Sequence, residues 1–437
     1  GNNRITDKDG YQDYYGYQAT YKTYNYSFGG AQAAALAQNR IGNSRLEWES
    51  TTVTNFGVDA GFLNNRLTAE LDVYNKVTDG ILTTPNLHLT MGIKTPPTMN
   101  TAEVTNRGFE LTVGWKDHVG DFNYAVSTNF SYNHNEVTKY LGKYEAGWVE
   151  KDGKKVWQSN IGDVSVDKDK GRIVEGHPIK EYYTLNTYSG NGTHFNSDGS
   201  VNINGGPKDG MIRTEGDMKW LNAMIDAGYK FMPNQSVGRN NIYYGDLIYA
   251  DLNGDGIYGS SYDYDFQGSS AMPKFGYGIN ISASWKNFDL SMLWAGNGGF
   301  KLYWEEDPYN SVAIRNGFAT SERVANDHYF YDPENPTDSR TNLNGYIPRL
   351  VENSKQSRQT SNYYLYNGTY MKLKNLTIGY TLPVTLTEKI SAERVRVYLS
   401  GENLFSITSF PGQDPEMGAT TNYPSLRQFA AGISVTF

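Results

Sequence analysis

The sequence lacks cysteine, any long apolar run and an excess of basic residues. With no Cys among 437 residues, disulfide scaffolds and thiolate metal sites are excluded. The formal net charge of −8 argues against nucleic-acid binding, which would need a basic face. No apolar stretch approaches the roughly 20 residues of a membrane helix. The mean hydropathy of −0.61 still permits a membrane barrel, whose apolar band occupies only alternate positions.

The composition indicates a β protein rich in tyrosine and glycine. The chain holds 35 Tyr and 46 Gly with 38% hydrophobic residues, as expected for strands joined by long polar loops. It opens with Gly1-Asn2-Asn3-Arg4 rather than Met and shows no signal peptide. We therefore expect a fragment of a longer protein.

The end of the chain, 427–437, alternates between two faces. Phe429, Ala431, Ile433, Val435 and Phe437 form an apolar face, while Gly, Ser and Thr dominate the other. A small, polar second face is typical of a wall that lines a packed or wet lumen. A terminal aromatic residue fits a transmembrane barrel strand, so Phe437 is predicted to be the carboxyl-terminal signal of a barrel. An ordinary half-buried strand is the alternative.

The same alternation recurs along the chain. It predicts about ten strands, including those at 56–62, 67–73, 109–115, 122–132, 275–285, 288–294, 375–382 and 395–404. A small helical turn is expected at Ala31–Ala37, a strand near Ile179–Asn186 and a helix near Met218–Ala227. Between the strands lie short turns, such as Lys286-Asn287, and two long loops, 139–241 and 301–362. This contrast is typical of the periplasmic and extracellular ends of an outer-membrane barrel.

One stretch, 251–257, has the pattern of a calcium loop. It places side-chain oxygens at relative positions one, three and five, a Gly at six and a backbone carbonyl at seven. Position twelve is Tyr262 rather than Glu, so the closing carboxylate would be Asp263, Asp265 or an outside residue such as Asp246. We predict a structural Ca²⁺ whose ligands are Asp251, Asn253, Asp255, Ile257, Asp263 and Asp265. The alternative is an Asp/Asn/Gly turn without an ion.

Catalytic motifs are missing from the sequence. The six His residues, at 88, 118, 134, 177, 194 and 328, are scattered singly. We find no His-Glu-x-x-His spacing, no Gly-x-Ser-x-Gly elbow and no phosphate-binding Gly loop. The chain is therefore predicted not to be an enzyme.

A set of short motifs spans residue 46 to the end of the chain. They are Leu46-Glu-Trp-Glu49, Asn64-Asn-Arg-Leu67, Thr105-Asn-Arg-Gly-Phe-Glu-Leu111, Asp251-Leu-Asn-Gly-Asp-Gly256, Pro273-Lys-Phe275, Leu373-Lys-Asn-Leu376, Gly401-Glu-Asn-Leu-Phe405 and Asp414-Pro415. Their order and spread resemble the SusC/RagA-like TonB-dependent outer-membrane transporters. The sequence departs from that pattern in its two long loops and in Ser425, where a less polar residue is expected.

This resemblance implies an all-β fold, a transmembrane antiparallel β-barrel of about 22 strands with long extracellular loops. Residues 1–437 would be its carboxyl-terminal half, and the plug domain, TonB box and first strands would lie outside this chain. Members import oligosaccharides or peptides across the outer membrane of Gram-negative bacteria, energised through TonB. A SusD-like surface lipoprotein serves as their lid. We expect the same function, partners and location here.

Substrate in such a protein would be held by aromatic faces on the loops. The candidates are Trp148, Trp157, Trp220 and Trp304, which would otherwise pack the loops together. Other functions remain open at this stage. A passive porin or an adhesion receptor would share the barrel, and a soluble or surface calcium-binding β protein would need no detergent.

Overall fold

The computed structural model describes residues 17–84, 97–165, 170–305, 321–351, 355–419 and 423–437. Its strands, in chain order, are β1 (Thr20–Phe28), β2 (Ala31–Arg40), β3 (Ser50–Phe62), β4 (Leu67–Thr83), β5 (Met99–Val119), β6 (Phe122–Lys139), β7 (Ala146–Lys151), β8 (Lys154–Ser159), β9 (Gly171–Arg172), β10 (Glu181–Leu185), β11 (Lys230–Phe231), β12 (Ile257–Tyr258), β13 (Tyr264–Phe266), β14 (Phe275–Trp285), β15 (Phe288–Gly298), β16 (Lys301–Tyr303), β17 (Leu365–Asn367), β18 (Tyr370–Thr381), β19 (Arg394–Thr408) and β20 (Gln428–Thr436). The α-helices are α1 (Ile161–Val164), α2 (Glu215–Asp226), α3 (Glu322–Asp327) and α4 (Val384–Thr387), with 3₁₀ turns at Asn362–Tyr364, Glu388–Ile390 and Pro415–Met417.

Among the described residues, nine strands form one antiparallel sheet, which we call the main sheet. Its order is β3-β4-β5-β6-β14-β15-β18-β19-β20, so every strand lies beside its predecessor or successor within the sheet. The all-β prediction is confirmed. The sheet is not closed on itself, as expected for part of a barrel wall.

The strand register keeps the apolar side chains of the main sheet on one face. At one end of the strands, Trp285 pairs with both Phe122 and Phe288. At the other end, Phe275 pairs with Tyr132. A strand rises about 3.3 Å per residue and tilts by about 40° in a barrel, which separates the two aromatic rows by about 25 Å. That separation matches the apolar band of an outer-membrane barrel.

Turns and long connections lie at opposite ends of the main sheet. One end carries the short connections 63–66, 120–121, 286–287 and 382–393. The connections 84–98, 140–274, 299–369 and 409–427 start and finish at the other end, where their described residues lie. The predicted turn at Lys286-Asn287 is found, and another short turn lies at Asn64-Asn65, between the strands predicted at 56–62 and 67–73. Asn64 and Lys286 have positive φ values of 58° and 52°. Asn tolerates this left-handed backbone because its side chain is short and polar.

Local predictions were correct for two elements and wrong for one. The strand near Ile179–Asn186 is β10, and the helix near Met218–Ala227 is α2. The helical turn at Ala31–Ala37 is wrong, because this segment forms strand β2. Its alanines pair with β1, with Ala33 opposite Tyr26 and Ala35 opposite Tyr24. Strand pairing here overrides the helical propensity of alanine. None of the described helices is long and apolar enough to cross a membrane.

The described residues of the two longest connections, 140–274 and 299–369, fold together over one end of the main sheet. We call them the first and second excursions, and together the loop domain. Its largest core is built by apolar side chains that are nearly all from the first excursion. They are Leu185, Tyr188, Met211, Ile212, Met218, Trp220, Leu221, Met224, Phe231, Ile242, Tyr244, Leu247, Ile248, Tyr249 and Tyr258, joined by Tyr329 of the second excursion. The long connections therefore form a packed body.

Candidate functional site

The inner face of the main sheet carries small and polar residues. Alternation along each strand turns these side chains away from the apolar band. They include Asn123, Ser127, Asn129, Ser131 and Asn133 on β6; Gly276, Gly278, Asn280, Ser282 and Ser284 on β14; and Ser291 and Asn297 on β15. Such a face suits contact with water or polar solutes rather than lipid.

Asn106 is the centre of a polar network on this inner face. Its Oδ1 accepts hydrogen bonds from Asn135 Nδ2 at 2.9 Å and Asn133 Nδ2 at 3.3 Å. Tyr74 donates from its hydroxyl to Asn133 Oδ1 at 3.2 Å. Gly108 makes room for Tyr74, because a Cβ there would overlap the Tyr132 carbonyl oxygen and meet the Tyr74 hydroxyl at 2.6 Å. The motif at 105–111 thus contributes a close packing position and a hydrogen-bond hub.

Paired charges also lie near the short turns, and those of Arg396 and Asp289 are on the inner face. Arg66 lies 3.1 Å from Asp117, and Arg396 Nε lies 2.9 Å from Asp289 Oδ1. They stand beside an open cavity of about 830 Å³, whose lining includes Lys116. Sequence alternation predicts the polarity of this face but not its partners, which come from distant strands.

The last long connection is fastened to the inner face by a buried ion network. Lys372 Nζ lies 2.6 Å from Asp414 and 2.9 Å from Glu416. Ser425 donates to the same Asp414 carboxylate. Burial tends to raise the pKa of Asp414, but the hydrogen bonds from Lys372 and Ser425 outweigh it and hold the pKa below its usual value. Ser425, the unexpected polar residue in the sequence, therefore completes this network.

The two excursions are joined by a second buried ion pair. Arg349 of the second excursion lies 2.6 Å from Asp246 of the first. Arg349 also donates to the backbone carbonyls of Arg239 and Asn241, both at 2.9 Å. Burial raises the pKa of Asp246, against the opposing effect of Arg349. These contacts fix the second excursion onto the first.

Two of the four candidate tryptophans are buried within the loops. Trp220 of α2 is fully buried and donates from Nε1 to the Asn202 carbonyl at 2.7 Å. Trp304 is 7% exposed and packs edge-on against Phe410. Both pack the loops together. Trp148 and Trp157 instead face each other on the β7–β8 hairpin, with ring centroids 5.6 Å apart and Trp148 45% exposed.

The predicted calcium loop is shaped by hydrogen bonds to its own backbone. Asp251 accepts from Gly254 N at 2.7 Å and Gly256 N at 2.8 Å. Asn253 donates to Asp255 at 3.0 Å, and Asp255 accepts from the N–H of Ile257, the first residue of β12. These bonds are typical of Asx turns.

Two of the candidate closing carboxylates of this loop, Asp263 and Asp265, differ in their burial and in their hydrogen bonds. Asp263 is fully buried and accepts from Leu252 N at 2.9 Å and Ser260 N at 2.7 Å. Burial raises its pKa. Asp265 lies on β13 opposite Thr184 and accepts from the neighbouring Phe266 N. Among the described residues, no group of three or more Asp, Glu or His side chains is spaced to hold a metal ion.

Two of the described histidines lie within 3 Å of a carboxylate. His177 lies 2.7 Å from Glu181 and stacks on Phe266, with ring centroids 4.0 Å apart. His194 Nε2 lies 2.8 Å from Asp217, which closes the capping box of α2 with Thr214. His177 is therefore a packing group, and His194 supports the N-terminal cap of α2.

Comparison with known proteins gives a consistent result. The family model described as TonB dependent receptor-like, beta-barrel matches residues 8–231. TonB-dependent receptor P3 of Formosa agariphila is 26% identical over 425 residues, which cover 94% of this chain and 36% of that receptor. TonB-dependent receptor SusC of Bacteroides thetaiotaomicron is 25% identical over 400 residues, covering 90% of this chain and 32% of SusC.

The fold is similar to a solved structure described as the RagAB peptide importer in the open-open state. The TM-score is 0.63 at 23% sequence identity, and the match covers 97% of this chain and 38% of that chain. At this identity the likeness shows the fold alone. The chain spans about a third of the length of the relatives it matches. It belongs to the TonB-dependent receptor-like β-barrel family, whose members are outer-membrane β-barrel proteins, and its resemblance to the SusC/RagA-like transporters is confirmed.

Proposed function

We propose that the chain forms part of the wall and mouth of an outer-membrane importer for nutrient oligosaccharides or peptides. The observation that carries the proposal is the pairing of a polar inner face with an apolar outer band across the main sheet. A passive porin would share that wall. The similarity to SusC and to the RagAB peptide importer favours an active importer.

We assign energy supply and closure of the mouth to partners. TonB would act through parts of the protein outside this chain, and a SusD-like lipoprotein would cover the mouth. The loop domain would then lie outside the cell. The packed core of the loop domain supports this role, because a rigid rim offers a preformed surface to a lid and to substrate.

For substrate contact, we propose Trp148 and Trp157. Trp148 is exposed and pairs edge-on with Trp157, so an aromatic face is available to a sugar ring or an apolar side chain. Replacing both by Ala should weaken substrate uptake several-fold while the amount of folded protein is unchanged. Val149→Ala, on the opposite face of the same hairpin, is the matched control.

The import proposal is tested by uptake in cells. Strains with and without the gene are given fluorescent oligosaccharides or peptides, before and after a protonophore collapses the proton gradient. We expect one substrate class to enter only when both the protein and the gradient are present. Uptake that is unchanged after the protonophore is added would indicate a passive porin. A native protein that stays soluble without detergent would contradict the membrane assignment.

A second measurement tests the partner. The complete protein is purified in detergent from its own host and the co-purifying proteins are identified by mass spectrometry. We expect a surface lipoprotein of the SusD-like kind in a stoichiometric complex. Purification without such a lipoprotein, from cells that take up the substrate, would contradict the proposed lid.

A further inference from the structure

The two excursions meet around a cavity of about 380 Å³, which we call the junction cavity. Its lining includes Tyr243 of the first excursion and Tyr331 and Asp332 of the second. It also includes Arg349, whose ion pair with Asp246 joins the two excursions. A cavity of this volume between two packed segments is a common place for a small ligand to bind. The chemistry of its wall therefore indicates the kind of ligand that it would hold.

Aromatic rings form one part of this wall. The rings of Tyr243 and Tyr244 have centroids 5.1 Å apart at an angle of 78°, and those of Tyr244 and Tyr331 lie 5.0 Å apart at 80°. Burial raises the pKa of Tyr244, so its phenol stays neutral. Because neighbouring rings are nearly perpendicular, the wall offers both ring faces and ring edges. Such a surface suits the C–H groups of a sugar ring or an apolar side chain.

The charges around the junction cavity are compensated. The three arginines of its described lining form ion pairs with four carboxylates: Arg239 with Asp332 and Glu334, Arg340 with Asp338, and Arg349 with Asp246. An anionic ligand would approach more carboxylates than guanidinium groups, and a cationic ligand would find each of these carboxylates already paired. A neutral ligand enters without leaving a charge unpaired. The balance of charge therefore favours a neutral ligand.

Hydrogen-bonding capacity remains after these ion pairs have formed. Arg349 Nε is buried without a hydrogen-bond partner among the described residues, so a ligand oxygen is favoured there. Arg340 uses Nε and one amino group for its ion pair, which leaves the other amino group as a donor. Asp332 accepts from Arg239 and from Glu334 N through the same atom, Oδ1, which leaves Oδ2 as an acceptor. Donors and an acceptor around one cavity match neighbouring hydroxyl groups, which both donate and accept.

The part of the wall from the second excursion is held in place by its own contacts. Phe330 and Asn342 exchange backbone hydrogen bonds of 2.8 and 3.2 Å. Tyr329 N donates to the Ile347 carbonyl at 2.7 Å. The guanidinium carbon of Arg340 lies 4.7 Å from the centre of the Phe330 ring. These contacts position Arg340 before a ligand arrives, which reduces the ordering cost of binding.

An extended peptide fits the junction cavity less well than a sugar. Extended peptides bind by adding a strand to a free sheet edge. The β-bridges beside this cavity, Phe330 with Asn342 and His328 with Ile347, are isolated and belong to none of the strands β1–β20. They therefore present no such edge. A pyranose needs only ring contacts and hydrogen bonds, and the wall provides both.

We propose that the junction cavity binds a neutral pyranose residue of an oligosaccharide. Arg340 and Asp332 bind neighbouring hydroxyl groups, Arg349 Nε donates to a third sugar oxygen, and the tyrosine rings contact the C–H groups of the sugar. The inference rests on the proposed function, because it names the substrate class of the importer.

The test is binding to the complete protein, purified in detergent and measured by isothermal titration calorimetry. The probes are neutral oligosaccharides of glucose, galactose, mannose and xylose, an oligogalacturonate of equal length and an uncharged peptide. We expect at least one neutral oligosaccharide to bind about tenfold more tightly than the oligogalacturonate and the peptide, because a buried polar or charged group left without its partners costs about a factor of ten.

Two variants locate this binding in the junction cavity. Tyr331→Ala should weaken it about fivefold, because the sugar loses a ring contact. Arg340→Gln removes a donor from a side chain that is 70% exposed and should weaken binding about threefold or more. It keeps the test decisive if Tyr331→Ala does not fold. Arg45→Gln, on an exposed arginine between β2 and β3, is the matched control and should leave binding unchanged.

Three results would overturn the proposal: binding of none of the neutral oligosaccharides, equal or tighter binding of the oligogalacturonate or the peptide, or normal binding by both variants. Failure of this proposal is distinguishable from failure of the import proposal, because binding in detergent needs neither TonB nor a proton gradient. Energised uptake of a peptide or an acidic sugar, without binding of a neutral sugar, would refute the cavity assignment alone. Binding of a neutral sugar that both variants weaken, in a protein that imports nothing, would refute import alone.

Discussion

At the residue scale, Lys372 is a buried charge whose ion pairs hold the last long connection in place. Its side chain is 3% exposed and is neutralised by Asp414 and Glu416 from the last long connection. Breaking a buried pair from one side is costly because the other charge is left without compensation. The position of residues 409–419 over the inner face therefore depends on single side chains.

We expect Asp414→Asn to destabilise the docking of this connection by about 3 kcal/mol, because Lys372 would lose its closer partner. Hydrogen exchange of residues 409–419 should become faster in the variant. Glu334→Gln, whose side chain is 81% exposed, is the matched control and should exchange like the wild type. Unchanged protection in Asp414→Asn would show that Glu416 alone is sufficient.

The same network predicts a pH dependence with a definite sign. The pKa of Asp414 is lower in the folded protein than its usual value of about 3.9. Its stabilising contribution is therefore complete above about pH 4 and is lost as the pH falls through the lowered folded value. Limited proteolysis by pepsin should cut near residues 409–419 in acid and spare them near pH 5. Cleavage of this segment that begins only above about pH 5 would contradict the proposed role of the Asp414 carboxylate.

At the scale of elements, the alternation of side chains along each strand predicts which face of the main sheet each residue occupies. In β20, Ala431 lies opposite Leu399 on the apolar face, while the adjacent Ala430 lies opposite Ser400 on the polar face. This alternation was readable in the sequence because each residue's face follows from its position alone. Strand β2 could not be predicted from the sequence, because its alanines are extended only through their pairing with β1.

Adjacent alanines give a matched test of the two faces. Ala431→Lys should destabilise the barrel by about 2–4 kcal/mol, because a lysine on the lipid face must leave water. Ala430→Lys should have little effect, since it faces the polar lumen. The amount of folded protein in the outer membrane, measured by its resistance to unfolding in detergent, reports both. Equal loss in the two variants would contradict the assignment of faces.

The calcium loop remains a prediction at this scale. We expect Ca²⁺ to slow hydrogen exchange across residues 251–263 and a chelator to reverse the effect, because the ion would neutralise the buried Asp263. Asp263→Asn should abolish the response. Asp265→Asn should have a smaller effect, since that carboxylate already accepts from the neighbouring Phe266 N on β13. If hydrogen exchange in the wild type does not change with Ca²⁺, the loop is a hydrogen-bonded turn without an ion.

At the scale of the whole molecule, the wall was predictable from the sequence, whereas only β10 and α2 of the loop domain were, and not its packing. The strands of the main sheet repeat a period of two, whereas the core of the first excursion is assembled from short, irregular segments. The residues that line a cavity of about 750 Å³ beside β9, β10 and β13 illustrate the difficulty. Arg172, Tyr264 and Thr360 are far apart in the chain, and no spacing in the sequence relates them. Only the fold places them together.

The link between the excursions gives a prediction at this scale. Arg349→Met should loosen the second excursion from the first by about 3–5 kcal/mol, because Asp246 would be left buried and unpaired. Hydrogen exchange across residues 321–351 would report the loss. The double variant Asp246→Asn with Arg349→Met should recover part of it, because no buried charge remains. A double variant that is worse than the single one would contradict this explanation.

Neighbouring β6 and β14 are separated along the chain by residues 140–274, and this has a consequence for assembly. Pairings so distant in sequence form slowly. The excursion, however, brings its own ends together, since Asn133 N donates to the Lys274 carbonyl and Val137 N donates to the His177 carbonyl. An excursion that folds first turns a remote pairing into a local one. The wall would then grow as two meanders, β3–β6 and β14–β20, that meet at a seam already held in register.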